Sequence, residues 1–215
     1  MLVDWRTLLG VSAHDQVLCI GTGAERMRRA LTPWLALQDA RNRRPVPHPG
    51  RLDWVICGDP LHVDPDTTRG ETWTAHVESL RQVLQCLRPG GHVAMRVYNR
   101  WGLHGVLGLQ RRSPQELHGA RDRIYSLRGW HRLMGAAGAD DIRSYALLPH
   151  PDAPRVVLPI QPACPAAAQK FVIDQVWKRP TRAGTLGRTL LGVFAHLRLM
   201  PHLYPYYLLV GRNPC

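Results

Sequence analysis

Lysine is almost absent from this chain. Lys170 and Lys178 are its only lysines, and arginine supplies the rest of 28 basic residues, set against 16 acidic ones. The resulting formal charge of +12 suits acidic partners such as nucleic acid, anionic lipid or phosphorylated substrates. Arginine beside abundant alanine, glycine and proline is equally what GC-rich coding produces, so charge alone selects no partner. Cysteine is sparse as well. Cys19, Cys57, Cys86, Cys164 and Cys215 are odd in number, widely spaced and never arranged as C-x-x-C, which argues against a zinc site or a disulfide framework. Long apolar runs are missing, since none reaches the ~18 residues of a membrane span. Asp4 and Arg6 interrupt the N-terminal stretch, which lacks the pattern of a signal peptide. The cytoplasm is therefore the expected compartment. Disorder is excluded by 45% hydrophobic and 20% charged residues. A length of 215 residues allows one sizeable domain with an embellishment.

The chain is organised around Asp15–Glu25, DQVLCIGTGAE. Val17-Leu-Cys-Ile20 is a short apolar run of the kind a buried parallel strand uses. Gly21-Thr-Gly23 follows, and a helical pattern runs from Glu25 to Leu31. Strand, glycine turn and helix together let a ligand approach bare backbone at a helix N-terminus. Trp34–Leu37 is a candidate second strand that would leave Asp39 just past its end. An acidic residue there can accept hydrogen bonds from ribose hydroxyls; an ordinary loop aspartate is the alternative. Residues 40–51 are a proline-rich basic connection.

Leu52–Cys57 reads as a strand, followed by a polar loop holding Asp59, Asp64 and Asp66. Trp73 to Leu87 has the clearest helical period, with Trp73, Val77, Leu80, Leu84 and Leu87 on one face and Val83 beside them. Arg88-Pro-Gly-Gly91 stops it, and His92–Tyr98 is the next strand. Residues 99–123 read as loop. Ser126 is a plausible N-cap for a helix through Ala137, with Leu127, Trp130, Leu133, Met134 and Ala137 inward. Asp141–Leu148 and Tyr206–Val210 read as strands. Between them, residues 149–180 carry seven prolines around a helical candidate at Ala166–Trp177, and 183–200 is another helix candidate. Strands alternating with helices predict an α/β fold with a mainly parallel sheet.

With these pieces in place the chain resembles the class I S-adenosylmethionine-dependent methyltransferases. VLCIGTGAE stands where that family has its cofactor turn and LDWVICGDPL where it has its fourth strand. VLQCLRPGGHVAMRV is similar to the approach to strand five, and WHRLMGAAGADDIRSYALL to the last helix and sixth strand. YYLLVGR stands where the family closes its sheet with an antiparallel strand. The resemblance covers roughly residues 14–148 and 204–212 and implies a Rossmann-like sheet, S-adenosylmethionine as cofactor and methyl transfer as activity. It departs from the family at Cys19, where an acidic residue is usual, and at Glu25, which takes the third glycine position. Only 29 residues lie between Gly23 and Asp53, so the sheet is expected to lack one helix–strand unit and the cofactor to be held weakly or lost. Arg26, at the third glycine of G-x-G-x-x-G, argues against a nicotinamide-dependent dehydrogenase.

On this resemblance the cofactor contacts are Gly21, Gly23, Glu25, Asp39 and Asp59. Methyl transfer needs alignment and sometimes a base, for which Asp59 and His62 are the candidates, with a loop-capping aspartate and a surface histidine as the ordinary alternatives. Tyr98, Asn99 and Arg100, after strand five, are candidates to meet the acceptor, a small molecule or lipid-like. No metal is expected. Residues 1–215 are read as one methyltransferase-like domain with 149–203 inserted before the last strand. That insertion is a lid, a homodimer surface or a protein-partner surface. Leu186, Leu190, Val193, Phe194 and Leu197 can share a face near Arg182, Arg188 and Arg198, which would also suit a membrane surface. A catalytically inactive scaffold and an RNA methyltransferase or nucleic-acid binder are the other functions weighed.

Overall fold

The computed structural model describes residues 9–12, 14–21, 50–58, 69–99, 102, 125–148, 156–160, 193 and 200–214. Its elements are β1 (Val17–Ile20), β2 (Leu52–Cys57), α1 (Arg69–Cys86), β3 (Leu87–Tyr98), α2 (Leu127–Ala137), β4 (Asp140–Leu148), β5 (Val156–Pro159), α3 (Met200–Leu203) and β6 (Tyr206–Arg212). The strands hydrogen-bond in the order β1-β2-β3-β6-β4-β5. By compactness the chain divides into two units. One comprises residues 4–97, 128–143 and 208–215, the other residues 1–3, 98–127 and 144–207.

In the first unit β1 pairs parallel with β2, Val17 opposite Trp54, and β2 pairs parallel with β3, Trp54 opposite His92. Apolar residues fill β2 because a parallel strand is buried on both faces; Val55 and Ile56 are 0% and 1% exposed. α1 presents Thr72, His76, Val77, Leu80 and Leu84 inward, while Trp73 and Val83 remain half-buried. The sequence period thus finds the helix and the stripe Val77, Leu80 and Leu84, while Thr72 and His76 take the inward place expected of Trp73. Trp130, Leu133, Met134 and Ala137 of α2 are buried as the spacing predicts. α2 ends in a Schellman motif: Gly138, at φ 106°, donates to the Gly135 carbonyl, and Ala139 donates to that of Met134.

The helix was expected to stop at Arg88–Gly91, with the strand beginning at His92. Instead β3 begins at Leu87, which already pairs with Leu52. A register shift follows before Trp54 meets His92, and the proline and glycines fill the extra length. β6 runs antiparallel to β3. Asn99 donates to the Pro205 carbonyl at one end, and Gly90 and Asn213 exchange bonds at the other, Gly90 N–H to Asn213 O and Asn213 N–H to Gly91 O.

In the second unit β5 pairs antiparallel with β4, Leu148 opposite Val156 and Tyr145 opposite Pro159. Ile160 continues the pairing by donating to the Ser144 carbonyl at 2.8 Å. Within the proline-rich stretch, where the sequence suggested only a helical candidate, four residues form an edge strand. An edge position tolerates Pro159, which has no amide to donate. Val193 is helical and 48% exposed; the rest of its candidate face lies outside the described residues. The candidate elements Glu25–Leu31, Trp34–Leu37 and Ala166–Trp177, and with them the question of a missing helix–strand unit, lie outside the described residues. None of the described helices is long and apolar enough to cross a membrane.

Candidate active site

In an open α/β sheet ligands bind beyond the carboxyl ends of the strands. In the first unit that rim begins at Gly21, which leaves β1 with φ 86° and lies exposed. A side chain would be strained in this left-handed conformation, so glycine here both allows the turn and leaves its backbone open. One strand over, Gly58 follows β2 and is buried. Its N–H donates to the Ile20 carbonyl at 2.9 Å, and its own carbonyl accepts from Arg96 Nε at 3.0 Å. The ends of β1, β2 and β3 are thereby connected through one glycine.

Below the rim lie two cysteines outside any disulfide, Cys19 and Cys57. Cys19 is opposite Ile56 and Cys57 opposite Ile20, so the two are one step out of register and leave opposite faces of the sheet. Burial, with the Cys19 sulfur nearby, pushes the Cys57 thiol up to about 12. It stays protonated at neutral pH and serves as a small core residue, not a nucleophile.

In the second unit Tyr98 is half-buried, its ring edge-on to Tyr206 with centroids 5.3 Å apart. Asn99 is 2% exposed. Its Nδ2 lies within hydrogen-bond distance of the carbonyls of His202 (2.7 Å) and Tyr204 (2.8 Å) and of the Tyr207 hydroxyl (3.0 Å). Burial pushes the Tyr207 phenol well above its ordinary range. The amide nitrogen of Asn99 therefore holds the approach to β6.

Of the residues expected at the site, Gly21, Tyr98 and Asn99 are described. Gly23, Glu25, Asp39, Asp59, His62 and Arg100 lie outside the described residues. Sequence reasoning overlooked Arg96 and Gly58. The available signal was a single arginine inside the apolar run His92–Tyr98, at the strand end where side chains meet ligands. Among the described residues no cluster of His, Cys, Asp or Glu is placed to hold a metal.

The sequence matches no protein-family model and no curated protein. Solved structures are similar to it in fold. One is a SAM-dependent methyltransferase from Archaeoglobus fulgidus, with TM-score 0.50, 11% identity, and coverage of 96% of this chain and 90% of that one. The fold is that of the class I methyltransferases. Phosphoethanolamine N-methyltransferase 2 of Haemonchus contortus, in complex with phosphomonomethylethanolamine and S-adenosylhomocysteine, is similar at 14% identity with TM-score 0.48. This chain is covered completely in that match but spans about half, 54%, of the Haemonchus protein. β6 is the antiparallel strand expected from YYLLVGR.

Proposed function

We propose that this chain is an S-adenosylmethionine-binding protein of methyltransferase type, acting in the cytoplasm on a small-molecule or lipid-like acceptor. The observation that supports it most is the exposed left-handed turn at Gly21, directly after β1 and beside the fixed Gly58. In this reading Gly21 and Gly23 receive the cofactor against bare backbone, Glu25 accepts from its ammonium group, and Asp39 accepts from its ribose. When bound, the cofactor supplies a methyl group activated on a sulfonium. Asp59 or His62 takes the proton an acceptor must lose. Within the second unit, Asn99 fixes the chain beside Tyr98 against 202–207. Affinity is weak, because Cys19 and Glu25 replace residue types usual in this fold.

Calorimetric titration with S-adenosylmethionine tests the reading. Binding weaker than micromolar, lost in Gly23→Asp, is the expected result. A sub-micromolar constant overturns the weak-binding claim, and no binding at all overturns the reading.

Val193, helical and 48% exposed, favours a second role for the insertion 149–203, as the surface for a protein partner or a second copy. Light scattering on the intact chain and on Leu190→Asp/Phe194→Asp separates the roles. Concentration-dependent association lost in the variant supports a surface, and a strictly monomeric intact chain supports a lid.

A further inference from the structure

Val93, Ala94, Met95 and Val97 are each 0% exposed, and Arg96 lies half-buried among them. Ordering a long charged side chain on such a strand costs entropy and desolvation, which a well-aligned bond offsets. The bond present runs from Arg96 Nε to the Gly58 carbonyl at 3.0 Å, across from β3 to the end of β2. Gly58 has no side chain, so neighbours can hold it only through its backbone. The Ile20 carbonyl holds its N–H, and Arg96 holds its carbonyl. Together these two bonds fix both polar groups of the last described residue before Asp59-Pro60.

We propose that Arg96 is a positioning residue of the cofactor rim, which fixes the Gly58 backbone at the carboxyl end of β2. This rests on the methyltransferase reading above in one respect, that the carboxyl end of β2 borders the cofactor. Arg96 does not itself need to touch the ligand.

The test compares wild type with Arg96→Met, which keeps an unbranched stem without the donor, and Arg96→Lys, which restores a charged donor. Amide hydrogen exchange is read at Gly58, with Val93 as internal control, and S-adenosylhomocysteine affinity is read by calorimetry. In Arg96→Met, exchange at Gly58 should rise about tenfold, the scale of one lost hydrogen bond. Exchange at Val93 should be unchanged, S-adenosylhomocysteine affinity should fall about fivefold or more, and Arg96→Lys should recover much of both. Unchanged exchange at Gly58 overturns the proposal. So does a loosened Gly58 with affinity within about twofold of wild type, since Arg96 would then serve stability alone. If wild type binds no S-adenosylhomocysteine but Gly58 loosens in Arg96→Met, the positioning of Gly58 is supported and the methyltransferase reading fails. Should Arg96→Met not fold, Arg96→Leu carries the same comparison.

Discussion

Within the first unit, the two ends of the parallel strands are built in opposite ways. At the amino ends, side chains and backbone are tied repeatedly. Asp53 accepts the Gln16 N–H at 2.7 Å with one carboxylate oxygen and pairs with Arg88 at 2.7 Å through the other. Asn213 Nδ2 reaches the carbonyls of Leu87 and Arg88. His92 lies stacked on Trp54, centroids 4.6 Å apart, and the Arg212 guanidinium lies over Gly90. At the carboxyl ends Gly21 is bare and exposed, Gly58 is buried and held through its backbone, and Arg96 reaches the Gly58 carbonyl. Two landmarks of the family resemblance, the aspartate of LDWVIC and the L-R-P-G-G run, thus belong to the tied end. They specify how the sheet is built.

The largest expected effect distinguishes these ends directly. A Cβ at Gly91 would stand 2.9, 3.0 and 3.2 Å from the carbonyl oxygens of Leu52, Arg88 and Asp53, all backbone and slow to yield. Gly91→Ala should therefore cost about 2–3 kcal/mol of stability in urea unfolding, while the folded fraction keeps its S-adenosylhomocysteine affinity. Gly21→Ala should cost only about 1–2 kcal/mol, the strain of a left-handed residue, yet remove binding. The opposite pattern would break the comparison.

Asp53→Ala comes next. It leaves the Gln16 amide and Arg88 without their shared acceptor and should cost about 1.5–3 kcal/mol. Arg88→Ala, at a side chain 60% exposed, should cost under about 1 kcal/mol. Equal losses would show that the ion pair, not the backbone bond, holds this end.

Smaller effects follow from titration. The folded Cys57 thiol, raised by burial from 9.0 to about 12, loses its proton later than in the unfolded chain. The contribution of Cys57 is constant below pH 9 and is lost as pH rises towards 12; Cys57→Ala should flatten that alkaline slope. His92 is shifted the other way, below 6.5, by burial first and then by Arg212, with Asp141 opposing and Arg143 and Arg88 adding to the lowering. Its contribution is present above 6.5 and is lost as pH falls through the lower folded value. His92→Phe keeps the stack on Trp54 and should reduce the drop in unfolding midpoint between neutral and mildly acidic buffer.

Much of the sheet was legible in the sequence because its signals are local. Apolar runs mark β1, β2 and β3, the spacing of Leu127, Trp130, Leu133 and Met134 marks α2, and Gly138 marks its end. What was not legible depends on a partner strand. Val156–Pro159 is strand-like only because β4 offers it an edge, and the short run among prolines carries no period of its own. Leu87 joins β3 because Leu52 lies opposite, which spacing alone cannot show. At the site, glycine at 21 was readable from its place after an apolar run. Asn99 stood out as a polar residue after a strand, but its burial against His202, Tyr204 and Tyr207 involves residues more than a hundred positions away. Arg96 was hidden for the same reason, since its acceptor is a backbone carbonyl on another strand.

The contrast between the two ends, and the proposed function with it, is tested most directly by following backbone amide resonances while S-adenosylhomocysteine is added to the wild-type chain. The account predicts saturating shifts at Gly21, Gly58 and Arg96 and none above background at Gly91, His92 and Asn213. Shifts concentrated at the amino ends of the strands, or none anywhere at millimolar ligand, would contradict it.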